Sequence, residues 1–150
     1  VEVELLRSKC AGMAAMDGAE GGGGGGQVAA RLEEEVRVAK CRVKEMEEEV
    51  HRLLEDSATA KVKKNVNEAL TKAKDAAAKE RKIRNLREQT GSLDQVNIDL
   101  TFYVFYNLAN MYHVNGLHQV ALNSYTIILK NKQYPQASRL RVNMGNIFFE

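Results

Sequence analysis

Apolar residues in the last third of the chain fall at helical spacing, and one run of them occurs twice. Asn107-Leu108-Ala109-Asn110-Met111-Tyr112 is matched in character by Asn143-Met144-Gly145-Asn146-Ile147-Phe148, at a constant offset of 36 residues. Self-similarity at this period marks helical repeats, in which one unit buries its apolar face only when a neighbour stacks on it. Phe105, Leu108, Ala109 and Tyr112 follow the i, i+3, i+4, i+7 rule and predict the packed face of a first helix. Asn115-Gly116 predicts its stop, because glycine takes up the left-handed conformation that closes a helix. A second helix follows with Ala121, Tyr125, Ile128 and Leu129 as its apolar stripe.

Ala109 and Ala121 stand twelve residues apart, each followed by an aromatic residue, Tyr112 and Tyr125. Small residues at that spacing let two antiparallel helices approach closely, which is the tetratricopeptide arrangement. Pro135 suits the start of the next helix. The second copy, with Met144, Gly145 and Phe148 at matching positions, reaches Glu150 with no partner helix, so a piece of a longer array is expected. The expected fold is therefore all-α: a tetratricopeptide repeat over 97–134, then the first helix of another over 135–150, opening an α-solenoid.

The preceding two-thirds is different material. Residues 28–57 carry a heptad pattern, with Leu32, Ala39, Met46 and Leu53 interleaved with Val36, Val43 and Val50. Such a seam pairs with another helix through 32–53 in a coiled coil, where Glu35–Lys40 and Arg42–Glu47 would complement each other across a parallel dimer. Alternatively, it lies against another part of the same protein. Residues 58–90 read as a second, basic helix rich in Ala and Lys. From Lys61 to Glu88 ten Lys and Arg face four acids. Thr90-Gly91-Ser92 ends it, and Asn97, Asp99 or Thr101 can cap the helix after it. Residues 1–27, with six consecutive glycines at 21–26, read as a disordered linker and not as a phosphate loop, since no Gly-Lys-Ser/Thr follows.

Composition sharpens this division. All nine aromatic residues lie from Phe102 onward, whereas the first 101 residues hold 18 of the 22 Lys and Arg and 19 of the 20 Asp and Glu. On that basis the packed core is expected only in the last third, with the basic helix solvated. The absence of aromatic residues from the basic helix also argues against base stacking and a nucleic-acid partner. No apolar run is long enough for membrane insertion. Cys10 and Cys41 stand alone, consistent with a reducing compartment.

Catalytic chemistry finds no foothold. His51, His113 and His118 share no metal-ligand spacing with a cysteine or an acid, and Ser92, Ser124 and Ser138 lack a nucleophile context. No cofactor is implied. What is available is peptide recognition: Asn107, Asn110, Asn143 and Asn146 recur on successive first helices, off the packed face. Their amides could form a ladder for an extended backbone, or satisfy one another between repeats.

Several runs resemble one family. Asn97-Ile98-Asp99-Leu100-Thr101, Asn107-Leu108-Ala109-Asn110, Ala121-Leu122-Asn123-Ser124-Tyr125 and Lys130-Asn131-Lys132 look like the intraflagellar transport protein 88 (polaris) family. Arg139-Leu140-Arg141-Val142-Asn143-Met144-Gly145-Asn146-Ile147 is the most specific piece. The likeness is strong over 97–149, fair over 68–89 and absent over 1–60. It implies a non-catalytic tetratricopeptide scaffold of intraflagellar transport complex B, whose partners are other complex B subunits. The implied locations are the cilium or flagellum, the basal body and the cytoplasm. The alternative is a generic tetratricopeptide adaptor, a co-chaperone or motor–cargo linker that binds an extended peptide.

Overall fold

A computed structural model describes residues 24–134 and 137–149. Helices α1 (Gly24–Val62) and α2 (Val66–Gln89) are followed by a 3-10 turn at Leu93–Gln95, then α3 (Ile98–Val114), α4 (His118–Lys130) and α5 (Ala137–Phe149). The regular elements of the described residues are all helices and pack in chain order, consistent with an all-α helical-repeat fold. The linker expected over 1–27 lies outside the described residues up to position 23, and Gly24 to Gln27 already belong to α1. Pro135 also lies outside them. No helix among the described residues is long and apolar enough to cross a membrane.

Three helices end in the same way. After α3, the Gly116 N–H bonds to the His113 carbonyl and the Leu117 N–H reaches back to Tyr112, both at 2.9 Å, with Gly116 at φ +73°. Gly91 closes α2 in the same pattern, its φ +66°. These are the two stops expected from glycine. The third differs. α1 runs past residue 57 to Val62, and Lys64 at φ +62° makes its closing turn, with the Lys64 N–H on Lys61 and the Asn65 N–H on Ala60. The helix boundary expected at 57/58 therefore falls at 63–65. Asn65 then caps α2 by accepting from the Glu68 N–H, and Asn97 caps α3 by accepting from the Leu100 N–H at 3.0 Å.

The break at 63–65 folds α1 and α2 into an antiparallel hairpin, and here two expectations fail. A core does form in the aromatic-free segment, and the basic helix is not a solvated rod. Near the turn, Ala60, Ala69 and Ala73 are buried together with Met111 of α3. Farther along, Val43, Val50, Ala76 and Ile83 bury against Leu100 and Val104 of α3. Small residues let the helix backbones close up, so little side-chain volume is needed to exclude water. The heptad seam is thus used within the chain at Val43 and Val50, with Met46, Leu53 and Leu54 beside them. That replaces the intermolecular pairing expected over much of 32–53, while Leu32 stays 56% exposed.

Opposite charges set the same register. Lys72 meets Asp56 (3.8 Å), Lys79 meets Glu49 (2.8 Å) and Arg87 meets Glu47 (2.7 Å). The basic excess of α2 is therefore answered in part by acids of α1. The last pair is well shielded from solvent, with side chains 11% and 21% exposed, so salt screens it least.

A buried polar contact also joins the two helices near the turn. Ser57 is fully buried, and its hydroxyl donates to the Ala69 carbonyl at 2.9 Å. Ser57 and Ala69 are twelve residues apart, the spacing of Ala109 and Ala121 in the α3–α4 pair. Ala60 and Ala73 stand where that pair has Tyr112 and Tyr125.

Two substitutions test the hairpin by chemical denaturation. Ser57→Ala should cost about 1–2 kcal/mol, because Asn107 loses its acceptor, and Ser57→Val should cost more, about 2–3 kcal/mol, by overpacking. Lys64→Gly should leave the fold intact and raise stability by up to about 1 kcal/mol, since it relieves a left-handed non-glycine residue.

Candidate protein-binding site

α3 is the helix to which both cores attach. Leu100, Val104 and Met111 face the α1–α2 hairpin, whereas Phe102 and Ala109 face α4 and α5. At 100° per residue two further stripes remain on it. One carries Tyr103, Asn110 and Val114. The other carries Thr101, Phe105, Leu108 and Tyr112.

The residues expected to pack the repeat divide among these surroundings. Ala109, Ala121 and Tyr125 are fully buried where α3 meets α4. Phe105, Tyr112 and Met144 are partly buried against that cluster, and Leu108 packs against the alanine cluster of the hairpin. Gly116 forms the turn. Gly145 has no heavy atom within 4 Å of a Cβ built on it, so its described neighbours do not demand a small residue there. Phe148 is 73% exposed.

The four asparagines also divide. The Asn107 amide donates to the Ser57 hydroxyl at 3.1 Å, which extends the Ser57–Ala69 link to a third helix. The Asn143 amide donates to the hydroxyls of Tyr106 (3.0 Å) and Tyr125 (3.4 Å), and so ties α5 to both α3 and α4. Asn110 is half-buried and Asn146 exposed. The inner pair therefore joins neighbouring helices, leaving the outer pair as the amides that a peptide could reach. Nothing in the sequence marks Tyr106 as a hydrogen-bond acceptor for Asn143 or Ser57 as one for Asn107; both roles appear only when residues 37 and 50 positions away are in place.

The second stripe floors a groove of about 810 Å3 between α2 and α4. Thr101, Phe105, Leu108 and Tyr112 form its base, Arg81 and Arg84 one wall, and Val120, Ser124, Ile127 and Ile128 the other. A polar cluster anchors one side. Glu80, almost fully buried, accepts from Arg84 Nη2 on both carboxylate oxygens at 2.8 Å and from the Thr101 hydroxyl at 2.9 Å. This holds the Arg84 guanidinium over the Phe105 ring, 5.7 Å from its centroid. Lys74 Nζ stands at the same distance from the centre of Tyr112. Two aromatic residues of the floor thus each have a cation beside the ring on the α2 side.

The His113 and His118 rings approach to 5.8 Å across the Gly116 turn. No group of three or more potential metal ligands occurs among the described residues.

Burial raises the phenol of Tyr125 above its ordinary value of 10.0; the Asn143 amide opposes the shift and nearby Tyr106 adds to it. Tyr134 is raised too, chiefly by burial, with Arg84 lowering and Glu80 raising it. Folding therefore favours the neutral phenol. The stabilisation is complete below pH 10.0 and is lost as pH rises through the higher folded value. Stability followed by circular dichroism should fall steeply above pH 10, and Tyr125→Phe should flatten that fall.

The chain is 43% identical over 109 residues, 73% of its length, to the human protein named intraflagellar transport protein 88 homolog. The matched part spans 13% of that protein. No family model matches the chain. This match makes the chain a partial homologue of that protein. Its 109 residues exceed the 90 that follow position 60, so the likeness also reaches into the 1–60 segment, where none was expected.

Proposed function

We propose that this partial homologue of intraflagellar transport protein 88 is a non-catalytic scaffold segment acting in intraflagellar transport. On this reading it serves cilium or flagellum assembly through protein–protein contacts of tetratricopeptide hairpins, at the cilium, the basal body and in the cytoplasm. Its partners are other subunits of complex B. The observation that carries the proposal is the 43% identity over most of the chain, coupled to helices that stack in chain order around a shared α3.

The twelve-residue small-residue spacing supports tetratricopeptide units over 97–134 and, from 135 onward, the beginning of another. The same spacing at Ser57 and Ala69 supports a related hairpin before them. Solenoids of this kind present extended surfaces made from successive first helices. Here those surfaces carry Tyr103, Asn110, Val114 and Asn146, with Asn110 and Asn146 as the amide contacts. The well-shielded Arg87–Glu47 pair and the buried Ser57 link favour a rigid display of that surface.

A chimera provides the test. When the matched 109 residues replace their counterpart in the human relative, the chimera should restore cilia in cells lacking that relative. A well-folded, abundant chimera that leaves cells without cilia would refute the transport role. Within a working chimera, Asn110→Ala with Asn146→Ala should weaken recovery of complex B subunits about tenfold; equal recovery would remove the asparagines from recognition.

A further inference from the structure

The groove on the opposite side of α3 from Asn110 has the features of a docking site, and its walls differ in chemistry. α2 and α4 both pack on α3 and hardly on each other, so a channel runs between them with α3 as its floor. From Ile98 to Tyr112 the floor extends about 21 Å, the length of some four helical turns. Its apolar lining reaches the solvent: Ile98, Val120 and Ile127 are exposed, Ile127 by 70%. Apolar side chains exposed along a concave channel leave room for an apolar face to bury against them.

Charge selects the occupant. The α2 wall presents Arg81 and Arg84, and Lys74 continues it over Tyr112. Glu80 lies behind Arg84, almost fully buried, and its ion pair offsets part of the Arg84 charge, so Arg81 and Lys74 carry most of the wall's basic character. Asp94 is the one acid among the lining residues. The α4 wall is apolar at Val120, Ile127 and Ile128. An occupant must therefore be acidic along one edge and apolar along its base and other edge.

Backbone chemistry selects its conformation. The walls and floor are helices, whose backbone groups bond internally, and no strand edge exists among the described residues. An extended peptide would lay unpaired N–H and C=O groups over an apolar floor, whereas a helix brings its hydrogen bonds with it. We infer that the α2–α3–α4 groove binds an amphipathic α-helix of a partner protein, with its apolar face on Phe105, Leu108 and Tyr112 and an acidic edge along Arg81 and Arg84. The site lies apart from the asparagine surface and does not depend on the transport role.

The probe is a displayed library of peptides, each about 16 residues long, in which apolar and charged positions vary independently. It is selected against the full 150-residue chain. Enriched peptides should carry apolar residues at i, i+3, i+4 and i+7 with acids along one edge. They should gain helix on binding and lose at least about tenfold in affinity for Ile127→Glu. Arg81→Glu, a change at an exposed position, should move the preference from acidic towards basic peptides even if Ile127→Glu perturbs the fold. No enrichment, enrichment of proline-rich or basic peptides, or unchanged charge preference with Arg81→Glu would overturn the assignment.

Discussion

The fold depends on how closely two helices approach at Ser57. Its side chain is small enough to let α1 meet α2, and its hydroxyl accepts from Asn107 while donating to the Ala69 carbonyl. One buried polar atom is thereby satisfied on both sides, as an interior position demands. Because the contact fixes the α1–α2 register, it also decides which charges meet. Asp56, Glu49 and Glu47 come opposite Lys72, Lys79 and Arg87 only in this alignment. Asn107 carries the same link into α3, so the position of the next hairpin is set from this point too.

Charge in this chain is consequently structural before it is a signal to partners. A basic stretch beside an acidic one reads as two solvated helices when each is considered alone; folded together they form a zipped pair with an alanine interior. Glu80 extends the principle. It ties Arg84 and Thr101 across α2 and α3, with its carboxylate satisfied by three hydrogen bonds, and so positions a cation at the groove instead of leaving a charge unpaired in the interior.

What was legible in the sequence follows from which residues have restrictive chemistry. Gly91 and Gly116 announce helix ends because few residues other than glycine accept positive φ easily, and Asn97 announces a cap. Ala109 and Ala121 announce a close helix pair because large aromatic residues follow them. The earlier hairpin was not legible. Ser57 is an unremarkable polar residue among charges, alanines replace the aromatics at 60 and 73, and nothing in the residue type shows that Lys64 adopts the left-handed conformation. The heptad seam shows in the sequence as an apolar stripe, but a seam does not say whether its partner is another molecule or the next helix. The groove was hidden for a related reason. Phe105, Leu108 and Tyr112 show where α3 is apolar, while the separation of α2 from α4 that leaves them accessible belongs to tertiary structure.

Three apolar clusters take residues from α3, Leu100, Val104 and Met111 towards the hairpin and Phe102 and Ala109 towards α4 and α5. In a nearest-neighbour stack such a shared helix is the main thermodynamic link between the described flanks. A ligand that steadies α3 bears on the packing of both sides at once. The length of this chain therefore behaves less like a row of independent beads than like two springs joined at one clamp.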